Sequence, residues 1–490
     1  MSIVLFSMLL GIPFLGAIIC ILTPRQRVLE RVTSTGTGLT FLSALLLARE
    51  VLASTTLSSP NGFFYADALS AVLAVIVTGS AFATALYSSG YLNAHVVAGN
   101  IFPAQLRLYY ALLNVFLFTM TLVLLSNNLG FLWIGTEATT LATAFLVAFY
   151  DTKRSLEAAW KYVIICSVGI ALALFGVILT YFSSVTIAGT SSASLLWTSL
   201  MIVAKKLDPA ILRLAYVFAF IGFGTKAGLA PMHTWKPDAY GEAPAPISGL
   251  MAGGLVNVAL YSLIRFTVLV NRAVGHEFAS TLLIVFGLGS IIVAIPFILL
   301  QRNIKRLLAY SSVEHVGIIV FAVGLASPVA YLGALLHMLN NAIVKLLLFF
   351  SAGNLRLAYH SKIIRRIEGA VHVVPFTATI FLIGVFAVTG WPPFGLFVSE
   401  FTIVTAGFST GQFWPTIVFL LGVATIFAGF IYYAGKMAFG DSQGKERQKD
   451  STTVTRILLA ALAFLLLCLG IFIPAPLMTL LKNAATVMAG

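Results

Sequence analysis

A handful of ionisable side chains stand deep inside long apolar runs of this sequence. A charge at mid-membrane costs at least ~2.5–3.5 kcal/mol, so such residues face an interior, pair with one another and carry function. Glu137 sits in LGFLWIGTEATTLATAFLVAF, about ten residues from either end of its run. It reads as a proton-titrating or pump-coupling carboxyl, against the plainer reading of a hydrogen-bonded structural one. Lys226 sits in YVFAFIGFGTKAGLAPMHTW. Burial disfavours a charged lysine and a nearby carboxylate favours it, so a Glu–Lys pair that can be pulled apart is a two-state proton switch. His233 lies seven residues after Lys226, which would place both on one helix face two turns apart. Pro231 between them should break that helix, and a break in mid-membrane survives only beside protein or water.

The run LLHMLNNAIVKLLLFF carries His337, Asn341 and Lys345 at spacing i, i+4, i+8, one polar stripe on an apolar helix. A stripe suits a hydrogen-bonded water file; a polar packing seam is the alternative. In AVTGWPPFGLFVSEFTIV, Pro392 and Pro393 break a run and Glu400 follows two turns later. Two proline-broken segments at corresponding places in two halves are the pointer to inverted transporter repeats. Glu314 and His315 are adjacent, so only one is expected to point inward. Lys305 and Arg306, which open that run, read as flank charges, and Asp67 reads as an acid at a helix N-terminus. Lys161 falls inside a run and joins the residues that need explaining, whereas Arg49 is close enough to an end to snorkel.

Other chemistries find no residues. The glycines of GFGTKAG do not fit G-x-G-x-x-G and follow no strand, so a nucleotide site is rejected. No His/Cys/Asp cluster has metal-ligand spacing, and no Ser/His/Asp set falls at a common depth. Cys20, Cys166 and Cys468 lie far apart in apolar runs, which excludes an iron–sulfur or haem motif and gives no disulfide framework.

The elements that must hold these residues are membrane helices. Of 490 residues, 60% are hydrophobic and only 9% charged. Soluble domains carry about 25% charged residues, so soluble enzymes and nucleic-acid modules are excluded. With ~20 apolar residues per crossing, fourteen spans are expected, near 3–22, 32–49, 66–92, 106–126, 128–149, 157–182, 210–232, 244–270, 276–300, 303–326, 329–358, 372–405, 413–439 and 453–473. The third and twelfth are too long for one straight span, so tilt or a break is expected. The first, from Ile3 to Leu22, has no basic flank before it and reads as a span, not a cleaved leader. Odd-numbered loops hold 19 Lys and Arg, with Lys236 and Lys305 among them. Even loops and the tail hold 6, including Arg265 and Lys482. The positive-inside rule then puts the odd loops in the cytoplasm and both termini outside. The expected organisation is helices 1–3 over 1–105, a first five-helix repeat over 106–270, a second, inverted one over 271–440, and a cytoplasmic connector with the last span over 441–490.

At this point the sequence resembles a known family: the antiporter-like subunits shared by respiratory complex I, multisubunit Na+/H+ (Mrp) antiporters and membrane-bound nickel–iron hydrogenases. The likeness covers roughly residues 60–440 and rests on NNLGFLWIGTEATT, FGTKAGLAPMHTWKPDAYGEAPAPISGLMAG, NIKRLLAYSSVEHVG, HMLNNAIVKLLLFFSAGN and GWPPFGLFVSEF. Within the family it is similar above all to component F of hydrogenase-4 and formate hydrogenlyase-type complexes, through SLEAAWKYVIICSVGIALALFG, SSVEHVG and SAGN. The resemblance implies that Glu137 couples to Lys226, that His337 and Lys345 form a central axis, and that Glu400 is the terminal ionisable group. His233 and Asp238 fall in a shared P-x-H-x-W-x-P-D-A stretch, and Lys305, Glu314, His315, Asp238 and Asn341 are implied accessories. Asn341 stands where many relatives have a second histidine, and Ala252 and Asn257 where they carry a histidine or lysine, which interrupts the expected chain. The chain ends soon after Ile473, without the long lateral helix of the largest complex I relative. The implied function is proton translocation, or Na+/H+ exchange, by a non-redox subunit of a prokaryotic cell-membrane complex. Nickel–iron and iron–sulfur centres are expected in partner subunits, with no metal or cofactor site in this chain.

Overall fold

A computed structural model describes all residues except 1, 100, 189–194, 443–445 and 449. Lys445 and Lys449, two of the odd-loop bases, therefore lie outside the described residues, as does part of the 441–490 connector. The chain runs through α1 (Ser2–Leu22), α2 (Gln26–Ser54), a short hairpin of β1 (Leu57–Ser58) and β2 (Tyr65–Ala66), α3 (Ala68–Val97), α4 (Pro103–Leu125), α5 (Leu129–Val147), α6 (Lys153–Ala188) and α7 (Trp197–Val203). It continues with α8 (Pro209–Ala227), α9 (Trp235–Glu242), α10 (Ala245–Leu250), α11 (Val256–Val274), α12 (His276–Leu299), α13 (Ile304–Gly324) and α14 (Pro328–Tyr359). The last elements are α15 (Ala370–Val373), α16 (Pro375–Val388), α17 (Gly395–Ser409), α18 (Phe413–Phe439), α19 (Thr453–Ile471) and α20 (Ala475–Ala489).

Among the described residues, thirteen helices are long and apolar enough to cross a bilayer, counting Ala245–Val274 as one. The two shorter apolar helices α16 and α17 together cover the twelfth expected span, 372–405. Helix starts are marked by side chains that accept orphan backbone N–H groups: Asp67, Asn128, Asp208, Asn303 and Ser327. Long α3 is unbroken over its 30 residues. The twelfth crossing is interrupted over 389–394, around Pro392 and Pro393. The seventh stops at Ala227 and unwinds over 228–234, past Pro231, before α9 begins. Gly228 at φ +77° closes α8, a left-handed conformation that glycine adopts freely.

Burial is graded from the centre outward. The α10–α11 crossing and α13 are enclosed on all sides, whereas only about a third of α12, α18 and α19 is covered by protein. Enclosed α13 carries Lys305, Glu314 and His315, and enclosed α11 carries Arg265, as expected if lipid surrounds the outer helices. A π-helical turn at Met251–Leu255 joins α10 to α11. Gly253 in that turn rests on α14: a Cβ there would lie 2.9 Å from the Ala342 carbonyl oxygen.

Two sequence expectations are corrected at this level. Arg265 is not a loop base; it is buried on α11 and grips Asp67 with two 2.7 Å hydrogen bonds. Its guanidinium also lies over the rings of Trp197 and Tyr261. Asp67 therefore does more than cap α3, although its Oδ1 also accepts from the Ser70 N–H. The residues after the fourteenth span form α20, which packs on α3 and α14 and buries Leu480, Leu481, Ala484 and Met488.

Candidate functional site

Glu137 lies half-buried on α5, where Ser167 donates to its Oε1 at 2.7 Å and Thr140 donates to its Oε2 at 3.2 Å. Lys226, fully buried in the last turn of α8, donates to the Thr140 hydroxyl at 2.7 Å and to the Tyr162 hydroxyl at 2.8 Å. Glu137 and Lys226 thus form no direct ion pair: one hydroxyl stands between them. Its oxygen accepts from the ammonium while its proton points at the carboxylate. A second arm runs from Lys226 through Tyr162 to the Thr143 hydroxyl at 2.6 Å. Cys166 lies within electrostatic reach of Glu137, Lys226 and Lys236.

The break after Lys226 changes the expected geometry. Because α8 ends at Ala227, His233 does not share a helix face with Lys226. It packs instead beside the Phe297 and Tyr310 rings. Lys236 is not a loop charge. It is fully buried, and its Nζ donates to the Ala227 carbonyl at 2.7 Å and the Ser312 carbonyl at 3.2 Å. Lys305 is not a flank charge either; it is fully buried and donates to the Ala243 carbonyl at the end of α9. Each lysine meets the carbonyl end of an interrupted helix, where orphan acceptors and the negative end of the helix dipole favour a cation.

The stripe on α14 does not close on itself. Lys345, fully buried, donates to Ser311 on α13 at 2.6 Å. His337 reaches His315 on α13, Nε2 to Nδ1 at 2.8 Å, and Ser399 on α17, Nδ1 to Oγ at 3.0 Å. Asn341 lies buried between them, its Oδ1 without a hydrogen-bond partner among the described residues. Ser311, Glu314 and His315 share one face of α13 by their spacing, so both members of the adjacent Glu314–His315 pair are interior. Glu314 interacts with Ser311 and Lys345. Glu400 on α17 is buried and within electrostatic reach of Glu314. Ligand-capable atoms of His315, His337 and Glu400 come within 4.8 Å of one another, a cluster with metal-binding residue types that sequence spacing did not reveal.

Asp238 and Lys161 lie apart from this axis. Asp238 pairs with Lys161 at 3.3 Å and Arg306 at 3.1 Å, and Lys161 also pairs with Glu157 at 2.7 Å. These groups line a 220 Å³ cavity at a partly exposed end of α6 and α9. Lys161 is therefore a surface charge, not a mid-membrane one. Nearby, Glu242 pairs with Lys362 at 2.5 Å. Burial draws the Lys362 ammonium below the ordinary lysine range, against the pull of Glu242.

Thr140, Tyr162, Ser311, Ser399 and Lys236 are the polar members of the axis that sequence reasoning missed. Lys236 alone left a signal, since a second lysine ten residues past Lys226 follows the same break.

The family described as NADH:quinone oxidoreductase/Mrp antiporter, transmembrane, matches residues 126–428. A "Hydrogenase-4 component F homolog" of Methylacidiphilum infernorum (isolate V4) is 35% identical over 464 residues, covering 94% of this chain and 95% of that one. A chain of the membrane-bound sulfane sulfur reductase, an archaeal respiratory membrane complex, superposes with TM-score 0.89 at 24% identity, over 100% of this chain and 98% of its own. A chain of the Mrp complex from Dietzia sp. DQ12-45-1b superposes with TM-score 0.84 at 17% identity, over 99% and 97%. At those identities the two structural likenesses show a shared all-helical membrane fold.

Proposed function

Because the chain belongs to the NADH:quinone oxidoreductase/Mrp antiporter family of membrane subunits, we propose that it is the proton-translocating, antiporter-like subunit of a membrane-bound hydrogenase or formate hydrogenlyase-type complex. The observation that carries the reading is Glu137 and Lys226 joined through one hydroxyl at the break of the seventh crossing. In this reading, redox chemistry in partner subunits holding nickel–iron and iron–sulfur centres biases that linkage. Parting the two residues removes the charge that favours the ammonium, and Lys226 releases its proton inward. The proton travels by Lys345 and His337 toward Glu400. The break supports this: unwound backbone at membrane depth is tolerated where it lines a protein or water interior.

We place the subunit in a prokaryotic cell membrane with both termini outside, as the loop charges favour. The test is Lys226→Met in the complete complex reconstituted into liposomes. Electron transfer should stay measurable while charge transfer is lost; full pumping would sink the reading. A second reading, a Na+/H+ antiporter subunit without a redox partner, is favoured by the fold shared with the Dietzia Mrp chain. Transport by the purified complex with no electron donor would select it. The third member of the family, a complex I proton-pumping subunit, would place the same residues beside a quinone reductase.

A further inference from the structure

Resting on the proton-transport reading above, we infer that Lys236 is itself a proton carrier, the station between Lys226 and Lys345. Three observations place it there. On one side it holds the Ala227 carbonyl, next in sequence to Lys226; on the other it holds the Ser312 carbonyl, next to the Ser311 that receives Lys345. The two lysines thus reach the same turn of α13 from α9 and α14, and their charges interact.

The second observation is the kind of partner it has. Lys236 is fully buried, yet its hydrogen bonds go to two neutral carbonyls and to no carboxylate. An ammonium has three N–H donors; beyond the two carbonyls it meets only the Tyr240 ring, 5.8 Å from Nζ, among the described residues. A permanent buried charge without a counter-ion is expensive, whereas a group that gains and loses one proton bears that cost only part of the time.

The third is close approach. The Lys236 stem fills the place of a side chain at Gly228: a Cβ there would lie 2.8–2.9 Å from Cδ, Cε and Nζ of Lys236. The missing side chain gives the lysine a slot beside the end of α8. In each cycle one N–H bond of Lys236 breaks toward Lys345 and one forms with a proton released by Lys226. No electrons move, so no oxidant or reductant is required.

A fixed capping cation is the competing role, and arginine separates the two. Arginine keeps the charge and the donors but cannot release a proton. In the complete complex in liposomes, Lys236→Arg should lower proton transport at least tenfold while assembly and electron transfer persist. Wild-type transport in that variant overturns the inference. If the larger guanidinium prevents assembly, Lys236→His decides, because the ordinary histidine value lies near 6.5 and lysine near 10.4. A carrier at this position moves the pH optimum of transport toward acid by at least one unit; an unmoved optimum overturns it. Lys226→Met is measured alongside. Full transport there defeats the proton-transport reading, whereas its loss together with normal transport in Lys236→Arg defeats this inference alone.

Discussion

Thr140→Val is the sharpest perturbation available, because valine keeps the shape and removes only the hydroxyl. Thr140 is fully buried. The Lys226 ammonium would fall from two hydroxyl partners to Tyr162 alone, and the Glu137 carboxylate from two donors to Ser167 alone. A hydrogen bond to a charged group is worth ~1.5–3 kcal/mol. At about 1.4 kcal/mol per factor of ten, losing the bond to Lys226 lowers any step that passes through this linkage by roughly 10–100-fold. The assay is donor-driven proton uptake by the complex in liposomes carrying a pH-sensitive dye, with electron transfer recorded on the same sample. Thr140→Ser, which restores the hydroxyl, should return most of the rate. If Thr140→Val transports within twofold of wild type, the hydroxyl is not the connection and the two charges communicate by another route.

Two further predictions concern the scaffold. Arg265→Met strands the buried Asp67 carboxylate, and breaking a buried pair on one side costs ~3–5 kcal/mol. A clearly lower thermal midpoint in detergent is expected, and an unchanged midpoint would show that the clamp between α3 and α11 is dispensable. Gly253→Ala sets a Cβ 2.9 Å from the Ala342 carbonyl oxygen and 3.3 Å from its Cα, so the π turn and α14 must part. We expect ~1–3 kcal/mol of destabilisation in unfolding measurements. Gly289→Ala, which meets nothing within 4 Å, serves as the control and should be neutral or mildly stabilising.

Depth was legible in the sequence because insertion cost makes a charge in an apolar run conspicuous. That is how Glu137, Lys226, Lys345 and Glu400 stood out, and how the proline breaks of the seventh and twelfth crossings were placed. Partnership was not legible. Serine and threonine in membrane helices commonly turn back to their own carbonyls four residues earlier, as Thr136 and Thr225 do here. Nothing in composition marks Thr140, Ser311 or Ser399 as the ones that reach across. Flank lysines misled in the opposite direction. Lys236 and Lys305 follow helix ends, as topology markers do, yet the interrupted seventh crossing folds the first into the interior, and the end of α9 meets the second. Arg265 was misplaced because its partner Asp67 lies 198 residues away. Adjacency predicts that only one of Glu314 and His315 points inward, but α13 is enclosed on every side, so no outward face exists for either.

Apart from the Arg265–Asp67 pair, the described interior holds four buried lysines, Lys226, Lys236, Lys305 and Lys345, against two buried carboxyl groups, Glu314 and Glu400. Such a space has a limited capacity for cations, because every occupied lysine raises the cost of occupying the next. Lys236 and Lys345 lie close enough for their charges to interact, and interacting groups titrate as a pair, not one by one. Loading Lys236 would therefore be felt as eviction pressure at Lys345 without any helix having to move. The chain would behave as a row with fewer seats than passengers, in which admission at one door obliges departure at the other.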